Sequence, residues 1–112
     1  MILSSKCIEE VKKLMKKSKF NRDDDYALYA DYIKLKLPDK KPSEYYEIMQ
    51  NHGRYNIYSI KTIERARRMI QAEARKNGDE SLMSSKEIER YRKELIEEYK
   101  KLNAGGVMCE EC

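Results

Sequence analysis

Apolar residues recur at steps of three and four along almost the whole chain, and nowhere do they alternate for long. That spacing belongs to amphipathic helices and excludes an extended sheet. The composition points the same way. Val and Thr are scarce, there is one Phe and no Trp, and helix formers such as Lys, Glu, Arg, Leu and Met dominate. Hydrophobic residues make up 40% of the 112 positions and charged residues 39%, so each helix has one stripe to bury and a wet remainder. The chain is long enough for one domain and too short for two. The expected fold is all-α, a single small domain of about five helices. Nine tyrosines suit a thin core, because a Tyr ring can be buried while its hydroxyl stays near water.

Local signals divide the chain. Ser4 or Ser5 caps a first helix with Ile8, Val11, Leu14 and Met15 on one face and Lys12, Lys13, Lys16 and Lys17 on the other. "NRDDDYALYADYIKLKLP" predicts a second helix, capped by Asn21 or Asp23, with Tyr26, Tyr29, Tyr32 and Ile33 at helical spacing, Leu28 and Leu35 beside them, and Pro38 as its stop. A third starts near Pro42 and ends at Gly53 in a left-handed cap. The fourth runs from Ser59 to Gly78 with Ile60, Ile63, Ala66 or Arg67, and Ile70 inward and Met69 and Ala74 adjacent. The fifth opens at Ser84 and Glu87 with capping-box spacing and carries Ile88, Tyr91, Leu95 and Leu102, with Ile96 and Tyr99 flanking. "NAGG" is expected to break it. This divides the chain into a helical domain over 1–103, including a helix of about 84–102, and a loose Cys-containing tail over 104–112.

Charge is unevenly distributed. Residues 6–22 carry seven Lys/Arg against two Glu, a net of +5; residues 54–76 carry seven against two, again +5. The stretches 23–53 and 77–112 are each net −3. On the fourth helix Lys61, Arg65 and Arg68 are four and three apart and share a face. Arg pairs bidentately with phosphates and guanine edges. A short helix, a Gly-containing turn and a second helix with exposed Arg outline a helix-turn-helix-like unit over about 42–78, although the turn is longer than the usual three to four residues. The competing reading is a solvated basic face. Arg54 and Tyr58, beside the Arg helix, complete the candidate nucleic-acid set; Tyr55 and Tyr58 are also placed to pack in the turn.

Three stretches together resemble a group of small, mostly uncharacterised proteins of Gram-positive phages and prophages: "NRDDDYALYADYIK", "IKTIERARRMIQAE" and "SSKEIERYRKELIEEYKKL". They cover roughly half the chain. The resemblance implies that the middle stretch is the second helix of a helix-turn-helix or winged-helix-like unit, with Arg65, Arg67 and Arg68 facing DNA. It carries no established activity.

Catalytic patterns are missing: there is no Gly-rich phosphate loop, no nucleophile elbow and no His pair on a helix. No enzyme activity and no cofactor are expected. His52 is the only histidine. The run Asp23 to Asp25 reads as a first-turn dipole partner rather than a cation site, since three successive residues point apart on a helix. "CEEC" has zinc-ligand spacing, and Cys7, His52, Cys109 and Cys112 are the only candidate set; free thiols, with Cys7 in the core, are the favoured reading. No apolar run is long enough to span a membrane, and "MILSS" is too short for a signal peptide, so a cytoplasmic location in a bacterial host cell is expected.

The function expected is a small phage or prophage DNA-binding protein, regulatory, acting on duplex DNA. The alternative is a protein-interaction module that inhibits a host enzyme or defence complex, for example an anti-CRISPR protein; the basic pI near 8.9 argues against DNA mimicry but not against other modes. A homodimer through the last helix is a further expectation.

Overall fold

The computed structural model describes residues 4–105, and for 103–105 the backbone only. Among these residues there are six α-helices and no strand: α1 Ser5–Lys17, α2 Lys19–Asp23, α3 Asp25–Lys36, α4 Tyr45–Gln50, α5 Ile60–Asn77 and α6 Ser85–Gly105, with 3-10 turns at Pro42–Glu44, His52–Tyr55 and Glu80–Leu82. None of the helices is long and apolar enough to cross a membrane.

The all-α expectation holds, and its arrangement is a three-helix core. α5 packs on α1 and α3 and on the turn Glu80–Leu82, while α2 links α1 to α3. Val11 and Met15 of α1, Leu28, Tyr29, Tyr32 and Ile33 of α3, Ile48 of α4, and Ile63, Ala66 and Ile70 of α5 are buried together. Tyr26, Leu35 and Met69, which helical spacing places beside this set, are exposed instead.

The segment "NRDDD" departs furthest from its sequence reading. Neither Asn21 nor Asp23 caps the helix that follows. Asn21 is buried inside α2, and its amide donates to the Leu14 carbonyl and to Asp31 Oδ2, both at 2.8 Å. Arg22 Nη1 donates to the Met15 carbonyl at 2.7 Å. These two side chains satisfy carbonyls that the last turn of α1 leaves without intrahelical partners. Ser18 caps α2 and Asp24 caps α3, accepting from the Tyr26 N–H at 2.9 Å. Asp23 reaches across the fold to the start of α6, where it accepts from Ser85 N–H at 2.8 Å and from Ser85 Oγ at 2.7 Å. Asp25 pairs with Arg67 of α5. Five successive residues thus bind α1, α3, α5 and α6 to one point.

The boundaries of α5 follow the sequence. Ser59 Oγ accepts from the Thr62 N–H at 3.2 Å. Gly78 ends the helix at φ 72°, with Asp79 N–H donating to the Ala74 carbonyl at 2.8 Å and Gly78 N–H to that of Arg75 at 3.3 Å. Gly53, expected in a left-handed cap, lies inside the turn His52–Tyr55, and Asn56 takes the left-handed conformation at φ 58°. The paired bonds from Asn56 N–H to Gly53 and from Ile57 N–H to His52 are the same closing motif, displaced along the chain because the 3-10 turn follows α4 directly. Asn tolerates this region better than most side chains.

The unit expected over 42–78 departs from a helix-turn-helix. α4 is only six residues long, residues 51–59 separate it from α5, and the stripe of α5 that such a unit would pair with its first helix is covered by α1 and α3. At the other end, Ser84 and Glu87 form the reciprocal capping box, with bonds of 3.2 and 3.1 Å. α6 continues through "NAG" to Gly105, so Ala104, a strong helix former, extends it past the expected break. Cys109 and Cys112 lie outside the described residues.

Candidate nucleic-acid interface

The start of α5 is held by the core. Tyr29 Oη donates to the Tyr58 carbonyl at 2.6 Å, and the Tyr58 N–H donates to Tyr32 Oη at 3.1 Å. Burial pushes both phenols up to about 12, so they are neutral and hydrogen-bonding at any physiological pH. Two buried side chains of α3 therefore clamp the peptide that precedes the Ser59 cap and aim α5 from its first turn.

The four arginines of α5 occupy four different environments. Lys61 and Arg65 are exposed, and neither is in an ion pair among the described residues. Arg68 pairs with Glu64 at 2.6 Å along the helix but stays 68% exposed. Arg67 is turned inward: Nε and Nη2 reach the two oxygens of Asp25 at 2.5 and 3.3 Å, and Nη1 reaches Gln71 Oε1 at 2.7 Å. Gln71, itself buried, passes the network on to the Arg22 carbonyl at 3.0 Å. Arg67, which the resemblance turns toward DNA, is the other half of the "NRDDD" junction. Arg75 pairs with Glu94 of α6.

Lys76, which the sequence reading left out, extends the exposed row. Lys61, Arg65, Arg68, Ala72 and Lys76 follow one another at steps of four, three, four and four and are all exposed. They lie opposite Ile63, Ala66, Ile70 and Ala74. At ~1.5 Å per residue this row runs for roughly 22 Å. The signal for Lys76 was its spacing from Arg68 through Ala72.

Beside the row, a groove of about 320 Å³ separates α5 from α1, lined by Ile8, Lys12, Met69, Glu73, Asn77 and Asp79, with Ile70, Ala74 and Leu82 at its base. Lys12 and Lys16, four apart, put positive charge along the α1 edge. Asp79 faces that edge. Its carboxyl is held below the usual range chiefly by its bond to Ser81, with Lys16 and Lys12 adding to the effect.

The remaining candidates scatter. Arg54 is exposed on the turn His52–Tyr55. Tyr58 is half-exposed, and its hydroxyl lies 3.5 Å from Ser4 Oγ at the start of α1. Tyr55 donates to Glu47 Oε1 at 2.5 Å, and Lys40 sits over its ring at 5.4 Å, so it serves the α4 side. His52 Nδ1 lies 3.2 Å from the Ile57 carbonyl, inside the closing turn. Cys7 is a buried core residue whose thiol is raised by burial. Among the described residues no cluster of His, Cys, Asp or Glu could hold a metal ion.

No known protein family, curated protein or solved structure matches this chain.

Proposed function

We propose that this protein is a small, regulatory phage or prophage DNA-binding protein that binds duplex DNA through the solvent face of α5, the helix that the resemblance turns toward DNA. The observation that carries the reading is the row Lys61, Arg65, Arg68 and Lys76, exposed along one face of a helix whose opposite face is locked into the core. A row of that length spans many phosphates, since duplex DNA carries one charge per ~1.7 Å of axis. No aromatic side chain interrupts it, so it suits backbone contacts more than base stacking. Lys12 and Lys16 add charge across the groove. Arg67 leaves the binding set, because its guanidinium is committed to Asp25.

A salt titration of duplex binding, followed by fluorescence anisotropy, tests this. Each phosphate contact contributes about −0.9 to the slope of log affinity against log salt, so changing Arg65 and Arg68 to Ala flattens it by roughly two units. A folded wild-type protein that fails to bind duplex at low salt refutes the reading. A host protein recovered in equal amount with and without nuclease supports the interaction-module alternative instead.

A further inference from the structure

α6 is held to the body of the protein only along its first half. Ile88 and Tyr91 pack against the core, Arg92 pairs with Glu80 at 2.6 Å, and Glu94 is held by Arg75. Beyond Glu94 the same face continues without cover. Leu95 is 46% exposed, Ile96 55%, Tyr99 67% and Leu102 75%, rising toward the tip. Leu95, Tyr99 and Leu102 are four and three apart and form one stripe, with Ile96 at its edge. Single exposed apolar residues are ordinary, but a contiguous stripe on an overhanging helix marks a contact surface.

We propose that this overhang is the site of self-association, with α6 of a second copy lying antiparallel across it. Two observations choose that occupant. The first is where the body sits. Tyr91, Arg92 and Glu94 join α6 to the body on the same side as the stripe, so a parallel second copy would bring its own body into the same space. An antiparallel copy puts its body beyond the tip. The second is charge. Glu94, Glu98 and Lys101 lie on one edge of the stripe at steps of four and three. In an antiparallel pair that edge faces the same edge of the second copy. The register that sets Leu95 opposite the second copy's Leu102, twice over by symmetry, brings Lys101 of one chain level with the gap between Glu94 and Glu98 of the other. On the opposite edge Lys100 follows Ile96 at a step of four.

The four apolar side chains expose on the order of 400 Å² per copy, so the stripes alone bury about 800 Å², less than the ~1,200 Å² at the low end of stable interfaces. The dimer is therefore weak and concentration-dependent. Glu98, near the two-fold axis, keeps it so. This inference does not rest on DNA binding.

Sedimentation of the full chain, under reducing conditions so that Cys109 and Cys112 form no cross-link, tests it between about 5 and 200 µM. The wild type moves from monomer to dimer across this range. Leu102→Asp stays monomeric with unchanged helicity. Glu98→Lys and Lys101→Glu each weaken self-association at least about tenfold, one charge-pair change of ~1.4 kcal/mol. Mixing those two variants restores a dimer, because the lysines on the edge of one chain then meet glutamates on the edge of the other. A wild type monomeric throughout, a dimer indifferent to Leu102→Asp, or two variants that stay monomeric when mixed overturns the proposal. So does capture of a different protein on the Leu102 face by a chain that remains monomeric.

Discussion

Arg67→Ala should destabilise the protein far more than Arg65→Ala, although the two arginines are two residues apart on one helix. The guanidinium of Arg67 makes two bonds to Asp25 and one to Gln71, with side-chain exposures of 18% for Arg67 and 25% for Asp25. Hydrogen bonds to a charged group are worth about 1.5–3 kcal/mol, and removing one partner of a fully buried pair costs about 3–5 kcal/mol. This pair keeps some contact with water, so the loss should fall near ~2–3 kcal/mol, part of it from leaving the Asp25 carboxylate and Gln71 Oε1 without donors. For a domain of this size that lowers Tm by roughly 10–20 °C. Arg65→Ala should lie within about 0.5 kcal/mol of wild type, as exposed substitutions usually do. Urea unfolding followed by circular dichroism measures both. A cycle with Asp25→Ala isolates the pair, with a coupling above about 1 kcal/mol expected for residues in contact. Equal stabilities for Arg67→Ala and Arg65→Ala would refute the assignment of Arg67 to the junction.

Gly78→Ala should also destabilise, since the residue sits at φ 72° and a Cβ there would lie 2.6 Å from Tyr91 Oη; a loss of about 1–2 kcal/mol is expected, partly recovered with Tyr91→Phe, where the next ring atom is 3.6 Å away. Equal losses in the two backgrounds would show that contact with Tyr91 plays no part. Alkaline stability should fall for a definite reason: burial raises Tyr29 and Tyr32 to about 12, against ~10 in the unfolded chain. Between those values the folded state holds more protons, so stability is full below pH ~10 and is lost as pH rises toward ~12. Tyr29→Phe should be less stable at neutral pH by about 1–2 kcal/mol, from the unpaired Tyr58 carbonyl, and should lose less between pH ~9 and ~11 than wild type does; parallel curves would remove the phenol from the explanation.

Much of the helix content was legible because its signals are local. Ser59, Ser84 with Glu87, and Gly78 each act on backbone groups within a few residues, and each does what its position in the sequence predicts; Pro42 opens a 3-10 turn, and the α-helix expected there begins at Tyr45. "NRDDD" was not legible for the opposite reason. Polar side chains in a row can cap the next helix, close the previous one or reach a distant element, and only the tertiary arrangement selects among these. Asn21 and Arg22 turn back to α1, Asp24 stays local, and Asp23 and Asp25 meet partners 62 and 42 residues away. Gly53 failed in a subtler way: a left-handed residue was required, but the 3-10 turn moved the requirement further along the chain, to Asn56.

The arginine row shows what periodicity resolves and what it leaves open. Lys61, Arg65 and Arg68 share one face, because a helix places such steps together whatever surrounds it. Arg67 belongs to another face by the same arithmetic, four residues after Ile63 and three before Ile70, both buried. Its position alone placed it beside the core, where a charge requires a partner. The partner is Asp25, in a segment of opposite net charge. The dense arginine run in "RARR" therefore combines two positions: Arg67 ties α5 to the "NRDDD" junction, and Arg65 and Arg68 point outward on the opposite side. Any ligand of that row meets a surface fixed from the other side of the helix by core packing, the Tyr29 and Tyr32 bonds and the Arg67–Asp25 pair. If the row binds DNA as proposed, loss of Arg67 should act through the stability of the fold rather than through a lost contact, leaving the salt slope of the folded fraction unchanged.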